Sequence, residues 1–206
     1  MLFIFTFNLV ASGFIMIGFS AVAEPLAKAF GISSTLVSFS VMIYFLIYIP
    51  VNFLSNYVID NYGAAPALRI AALLLLVGCW VRISYDMFGE ASFIFIFIGQ
   101  AFGAIGSPFT LNAPTKLAST WFAPDQRGMA TALGSLGIPF GCVIGFVIPS
   151  FFIDSTKEGP QNLAGFKTYL YVQNIIATIP CVLALLFTRA KPPSPPAYER
   201  PKTTIN

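Results

Sequence analysis

Gln100 and Ser107 stand seven residues apart in the otherwise apolar stretch FIFIFIGQAFGAIGSPFTL, and that spacing puts both on one face of a helix. An amide in hydrocarbon is costly unless it meets a partner or a water-filled cavity. Gln100 therefore either bonds a neighbouring helix or, with Ser107, touches a polar solute. The other reactive residue types are not arranged for bond-breaking chemistry. The chain has no histidine, which removes the commonest metal ligand and near-neutral proton relay, and with them any Ser-His or Cys-His nucleophile. Cys79, Cys142 and Cys181 each sit in an apolar run without ligand spacing and read as small hydrophobic side chains. An enzyme, a metal site and a cofactor are all unexpected. Arg69 and Arg82 stand near the ends of an apolar run, where long side chains snorkel to the interface. Glu24 and Lys28, four apart, form an exposed pair. With no ionised residue at the centre of any apolar run, a neutral or cationic organic solute is the favoured cargo.

The elements that hold these residues follow from composition. The chain is 57% hydrophobic, 16% aromatic and only 9% charged, with mean hydropathy +0.81. A soluble domain needs about 25% charged residues to wet its surface, so this chain needs lipid as its solvent. The net charge of +3 is too small and dispersed for nucleic acid. Crossing about 30 Å of hydrocarbon takes about 20 apolar residues. Six runs qualify: 1–23, 28–60 (centred on 37–54), 66–87, 91–115, 128–153 and 168–188. They lack the alternation of barrel strands, so all six are helices. The first run has no basic segment ahead of its long apolar stretch, which argues against a cleaved leader. Its abrupt start suggests a chain that is short at its N-terminus. With the N-terminus cytoplasmic, seven of the 11 Lys and Arg fall on inner segments, so both termini are expected inside.

Glycines mark where helices can touch. Gly137, Gly141 and Gly145 recur every four residues, and Gly99, Gly103 and Gly106 repeat the theme. Such faces let another helix backbone approach, gaining contact that lipid cannot supply. They serve either fixed packing or a face that rocks. After Arg189 the tail AKPPSPPAYERPKTTIN cannot continue a helix and should be extended and solvated. The chain thus divides into a transmembrane six-helix unit, 1–188, and a proline-rich cytosolic tail or linker, 189–206.

Two loops carry a resemblance. Asp60-Asn61-Tyr62-Gly63, followed by Arg69, resembles the first cytoplasmic signature of the major facilitator superfamily, although Asn56 replaces its first Gly and Ala64-Ala65 its basic pair. The stretches IYIPVNFLSNYVIDNYG, VGCWVRI and APTKLASTWFAPDQRGMATALGSLGIPFG, together with PPSPP, resemble more narrowly the feline leukaemia virus subgroup C receptor family within that superfamily. The resemblance implies twelve helices in two pseudo-symmetric bundles with substrate between them, of which this all-α chain would be the N-terminal half. It implies alternating-access transport of choline-like amines or of haem. It places Asp60 and Gly63 at a cytoplasmic gate with Arg127 beside them, Asp60 facing a helix N-terminus of the other half. Choline-carrying members place a Trp where Met16 stands and a Gln where Ser107 stands. Phe14 and Phe19 could partly replace that aromatic face, since a quaternary ammonium is held by cation–π attraction. Haem gains nothing from a chain without imidazole.

The expected protein is a facilitative transporter of a small organic solute in the plasma membrane. Its partners are the bilayer, the solute and a C-terminal six-helix half, from the same chain or a second copy. The alternative is a non-transporting membrane subunit or anchor derived from the family.

Overall fold

A computed structural model of the chain describes residues 1–86, 93–153, 159–190 and 192. The expected ends of the third and fourth spans, at Met87 and Ala91, and the tail beyond Ala190, Pro192 excepted, lie outside them. Every described regular element is helical: α1 Leu2–Ile17, α2 Ala23–Phe30, α3 Ser34–Tyr62, α4 Ala64–Ile83, α5 Phe93–Leu111, α6 Pro114–Trp121, α7 Arg127–Ser135, α8 Gly137–Val147 and α9 Gly159–Phe187. Five helical segments are long and apolar enough to cross a membrane, with α7, α8 and the short 3₁₀ turn that follows them counting as one, Arg127–Phe151.

The first expected span departs from the sequence reading, being broken in two. α1 stops at Ile17, the backbone tightens through Ser20 N–H to Ile17 O at 2.8 Å, and α2 resumes at Ala23. α2 ends at Gly31, whose φ of +64° closes a left-handed cap that glycine adopts without strain. α3 starts at Ser33, whose hydroxyl accepts from Leu36 N–H at 3.3 Å. It runs to Tyr62, so Asp60 lies in its last turn and not in a loop. A single residue, Gly63, then joins α3 to α4. Its φ of +89° and ψ of 179° belong to a region open essentially to glycine alone. α9 begins at Gly159, about two turns before the expected Thr168.

Two backbone-to-backbone contacts build the bundle. On α8, a Cβ at Gly137 would lie 2.6 Å from Leu9 Cβ, and one at Gly145 would lie 2.7 Å from Phe14 O. A Cβ at Gly141 would strike Val10 O and sit 2.9 Å from Phe14 N. The glycine face read from the sequence therefore seats on α1, within the same bundle. On the other side Gly78 of α4 and Gly99 of α5 each face the other's carbonyl, and a Cβ at Gly106 would lie 3.1 Å from Ala71 O. Outward, Phe53, Phe140 and Leu186 are exposed, as a lipid-facing surface requires. Between the helices Phe19, Phe30, Tyr85, Phe166 and Tyr169 pack edge-to-face or tilted, with centroids 5.6–6.4 Å apart.

Gly141→Ala puts a methyl against backbone atoms that cannot swing away, and should lower stability by about 1–3 kcal/mol. Gly128→Ala, with open space around it, should cost far less. Thermal unfolding of the two variants in detergent reads the difference, and equal midpoints would contradict the tight seat of α8 on α1.

Candidate solute-binding face

The surface that gathers α1, α3, α5 and α8 is concave. A cavity of about 230 Å³ is lined by Met16, Tyr44, Phe45, Tyr48, Ser107, Leu111 and Ile138. Met16 comes from the last turn of α1, where the interrupted helix leaves carbonyls without intrahelical partners. Gln100 answers one of them: its Nε2 donates to Met16 O at 3.3 Å, while its Oε1, fully buried, has no partner. Gln100 therefore supports the cavity wall from behind, and Ser107, two turns further along the same face, reaches the cavity itself.

Phe14 and Phe19 do not reach it. Both are buried, turned away from the cavity and packed on Tyr169 with centroids at 6.0 and 6.4 Å. Neither can stand in for an aromatic side chain at Met16; the cavity's aromatic faces are Tyr44, Phe45 and Tyr48 on α3. These were missed in the sequence, along with a polar network beneath them. Tyr48 O–H donates to Asn112 Oδ1 at 2.9 Å, and Asn112 Nδ2 donates to Asn52 Oδ1 at 2.7 Å and Ser55 Oγ at 2.9 Å. The signal was a stripe at 44, 48, 52 and 55, spaced four, four and three along one helix face. Asn112 sits where Pro108 and Pro114 bracket the break between α5 and α6, so its side chain ties the broken helix to α3.

Arg82 reverses an expectation. It was expected to snorkel outward, yet it is wholly buried. Helical side chains lean toward their own N-terminus. In α4 that end is Ala64, so an arginine at the far end leans back into the bundle. The groove left by Gly99 and Gly103 gives it room: a Cβ at Gly99 would lie 2.5 Å from Arg82 Cγ, and one at Gly103, just past the middle of α5, 3.6 Å from Nη2. Arg82 Nη1 donates to Gln173 Oε1 at 3.1 Å, Gln173 Nε2 donates to the Tyr169 hydroxyl at 2.9 Å, and the guanidinium lies 5.5 Å from the Phe19 ring centroid. No carboxylate meets it among the described residues, and its Nε and Nη2 are unpaired.

At the end of the bundle where α3 meets α4, Asp60 pairs with Lys116 at 3.9 Å, not with Arg127. Arg127 Nε instead donates to Phe122 O at 3.2 Å, closing the turn ahead of α7. An acid in the last turn of α3 lies at the negative end of its own helix, and the ammonium of Lys116 offsets that. Gly63 follows at once. Arg69 is held by Thr188, its Nε donating to Oγ1 at 2.9 Å, which fastens α4 to the end of α9.

The broken helix, the glycine-seated spans and the cavity between helices are those of a membrane transporter bundle, and the chain belongs to the Major Facilitator Superfamily, whose family model matches residues 3–205. The choline/ethanolamine transporter FLVCR1 of Felis catus is 27% identical to it over 95% of this chain and 35% of its own length. Solute carrier family 49 member A3 of Xenopus tropicalis is 32% identical over 88% of this chain and 38% of its own. Among solved structures, the inward-open xylose transporter XylE from E. coli superposes with a TM-score of 0.75 at 17% identity, over 92% of this chain and 47% of that one. The chain spans little more than a third of the curated relatives it matches. The receptor family suggested by the loop motifs is represented among those relatives.

Asn112→Ala strips three hydrogen-bond partners from Tyr48, Asn52 and Ser55 and should cost about 2–3 kcal/mol. Asp60→Asn, which breaks an exposed pair, should cost under about 1 kcal/mol. Denaturation of the purified variants compares them; a larger loss from Asp60→Asn would reverse the ranking of these two contacts.

Proposed function

We propose that this chain is the N-terminal half of a facilitative transporter that moves a small organic solute by alternating access, and that the solute is an amino alcohol of the choline and ethanolamine type. The observation that supports this most directly is the cavity on the shared face of α1, α3, α5 and α8. It lies where an opposing bundle would complete it, and it combines aromatic faces on α3 with the hydroxyls of Tyr48 and Ser107. Aromatic faces suit an alkylated ammonium, and hydroxyls suit the polar end of the same molecule. The names of the relatives supply the solute class; the geometry is compatible with it. Haem receives no support, because the chain has no imidazole to ligate iron. In this reading residues 1–188 form the half-bundle, 189–206 lead to the other half, both termini are cytoplasmic, and the plasma membrane is the site of action. Asp60, Gly63, Lys116 and Arg127 form the cytoplasmic end of the path.

A second reading, a non-transporting membrane subunit, is favoured by Met16 and Ser107, which stand where choline-carrying members of the resembled family place Trp and Gln. Uptake of labelled choline and ethanolamine by cells making the native protein separates the two. Met16→Trp adds an aromatic wall to the cavity and should raise apparent choline affinity about threefold to tenfold, the range of one partly desolvated cation–π contact. Absence of uptake from both wild type and variant, with protein present at the cell surface, would favour the subunit.

A further inference from the structure

The break in the first span leaves two hollows at the end of the bundle away from Gly63. The 29 residues of α3 separate that end from Gly63 by about 40 Å, at 1.5 Å per residue. One hollow, of about 430 Å³, lies between the break and the turn after α8, and its lining includes Ser20, Glu24, Pro25, Ser150 and Ile153. The other, of about 380 Å³, lies between α2 and the start of α3, and includes Lys28, Gly31 and Ser34. Glu24 lines both. The helices these hollows adjoin, α1, α3 and α8, also wall the solute cavity, and Ser20 comes four residues after Met16 of that cavity. The Glu24 carboxylate is exposed, and the pair with Lys28 expected from their spacing does not form. The break itself is firmly seated: a Cβ at Gly18 would strike the Tyr169 hydroxyl and lie 3.0 Å from Gln173 Nε2.

We propose that Glu24 draws the ammonium group of a cationic solute to the mouth of the path; this rests on the transport reading above and adds a charged subsite to it. The surrounding charges create the need. Lys28 stands one helical turn from Glu24, and the Arg82 guanidinium lies 5.5 Å from the ring centroid of Phe19 in the break, with no carboxylate on it among the described residues. Both repel an approaching ammonium. A carboxylate on the rim offsets that repulsion, and Glu24 has its charge to give because no ion pair takes it up. The walls of a hollow focus such a field toward its opening. The exposed hydroxyls of Ser20 and Ser150 add oxygen acceptors in the same hollow. A carboxylate in the first turn of α2 also suits that helix, but a role confined to the helix would respond neither to salt nor to solute concentration.

The test is choline uptake by cells making the native full-length protein, normalised to protein at the cell surface. Isotonic media of about 20 mM and about 150 mM salt, balanced with sucrose, screen charges over about 20 Å and about 8 Å. Below saturation, Glu24→Gln should lower uptake about threefold in the low-salt medium and less than about twofold in the other, the effect of one partly screened charge. At saturating choline the two proteins should run alike, a change in KM without one in kcat, which also reports an intact fold. Glu24→Asp should keep most of the wild-type rate, and Lys28→Gln should raise it. A Glu24→Gln protein equal to wild type, or slowed by the same factor in both media, overturns the inference while leaving transport standing. So does one slowed equally at saturation. A wild type that carries no choline overturns the transport reading and this inference with it.

Discussion

Lipid gives a helix bundle no hydrophobic reward for association, since hydrocarbon tails are as apolar as leucine. What remains is closeness, and in this chain closeness depends on glycine. The α1–α8 and α4–α5 contacts bring backbone within van der Waals range of backbone, and in both the glycine positions decide the register. The remainder of the bundle is arranged around these two seams. α3 lies against α5 and is fastened by the Asn112 network, and α9 closes on α4 through Arg69 and Thr188 at one end and Arg82 and Gln173 nearer the other.

The α4–α5 seam does a second thing. Where Gly99 and Gly103 leave no side chain, they leave a trough, and the Arg82 side chain lies in it. A close-packed helix pair thereby admits a full positive charge to the interior. Its tolerance there has visible sources: an amide oxygen, and an aromatic ring that follows the interruption of α1. The break in the first span, the trough in α5 and the buried charge are thus one arrangement seen from three helices.

Much of this was legible from residue order. Six apolar runs, the helical class and the glycine face of α8 follow from length, periodicity and residue type, while Gly63 stood out only through the loop resemblance. The interruption after Ile17 did not, because residues 18–22 remain apolar and nothing local announces an unwound turn. Arg82 was misread because distance from the end of an apolar run says where the Cα lies and not which way the side chain leans. Phe14 and Phe19 were assigned to the solute because they neighbour Met16 in sequence; α1 places Phe14 on its inner face, and Phe19 falls past the helix end. Tyr44, Tyr48, Asn52 and Ser55 were visible as a stripe, but only their meeting with Asn112, about sixty residues away, gives the stripe a purpose. Asp60 and Arg127 belong to two different loop motifs and bond elsewhere, Asp60 to Lys116 on the short α6 and Arg127 to Phe122 O.

The joint at Gly63 carries a mechanical consequence. Two long spans are linked by one residue, which leaves no slack for either to slide along the other by more than a fraction of a helical turn. The pair behaves as a folded rule with its pin at Gly63. A shift of α3 along its own axis is passed through that pin to α4, and from α4 to the arginine it carries. Displacement along the aromatic face of α3 therefore draws the second span with it, while the angle between the two stays free at the glycine.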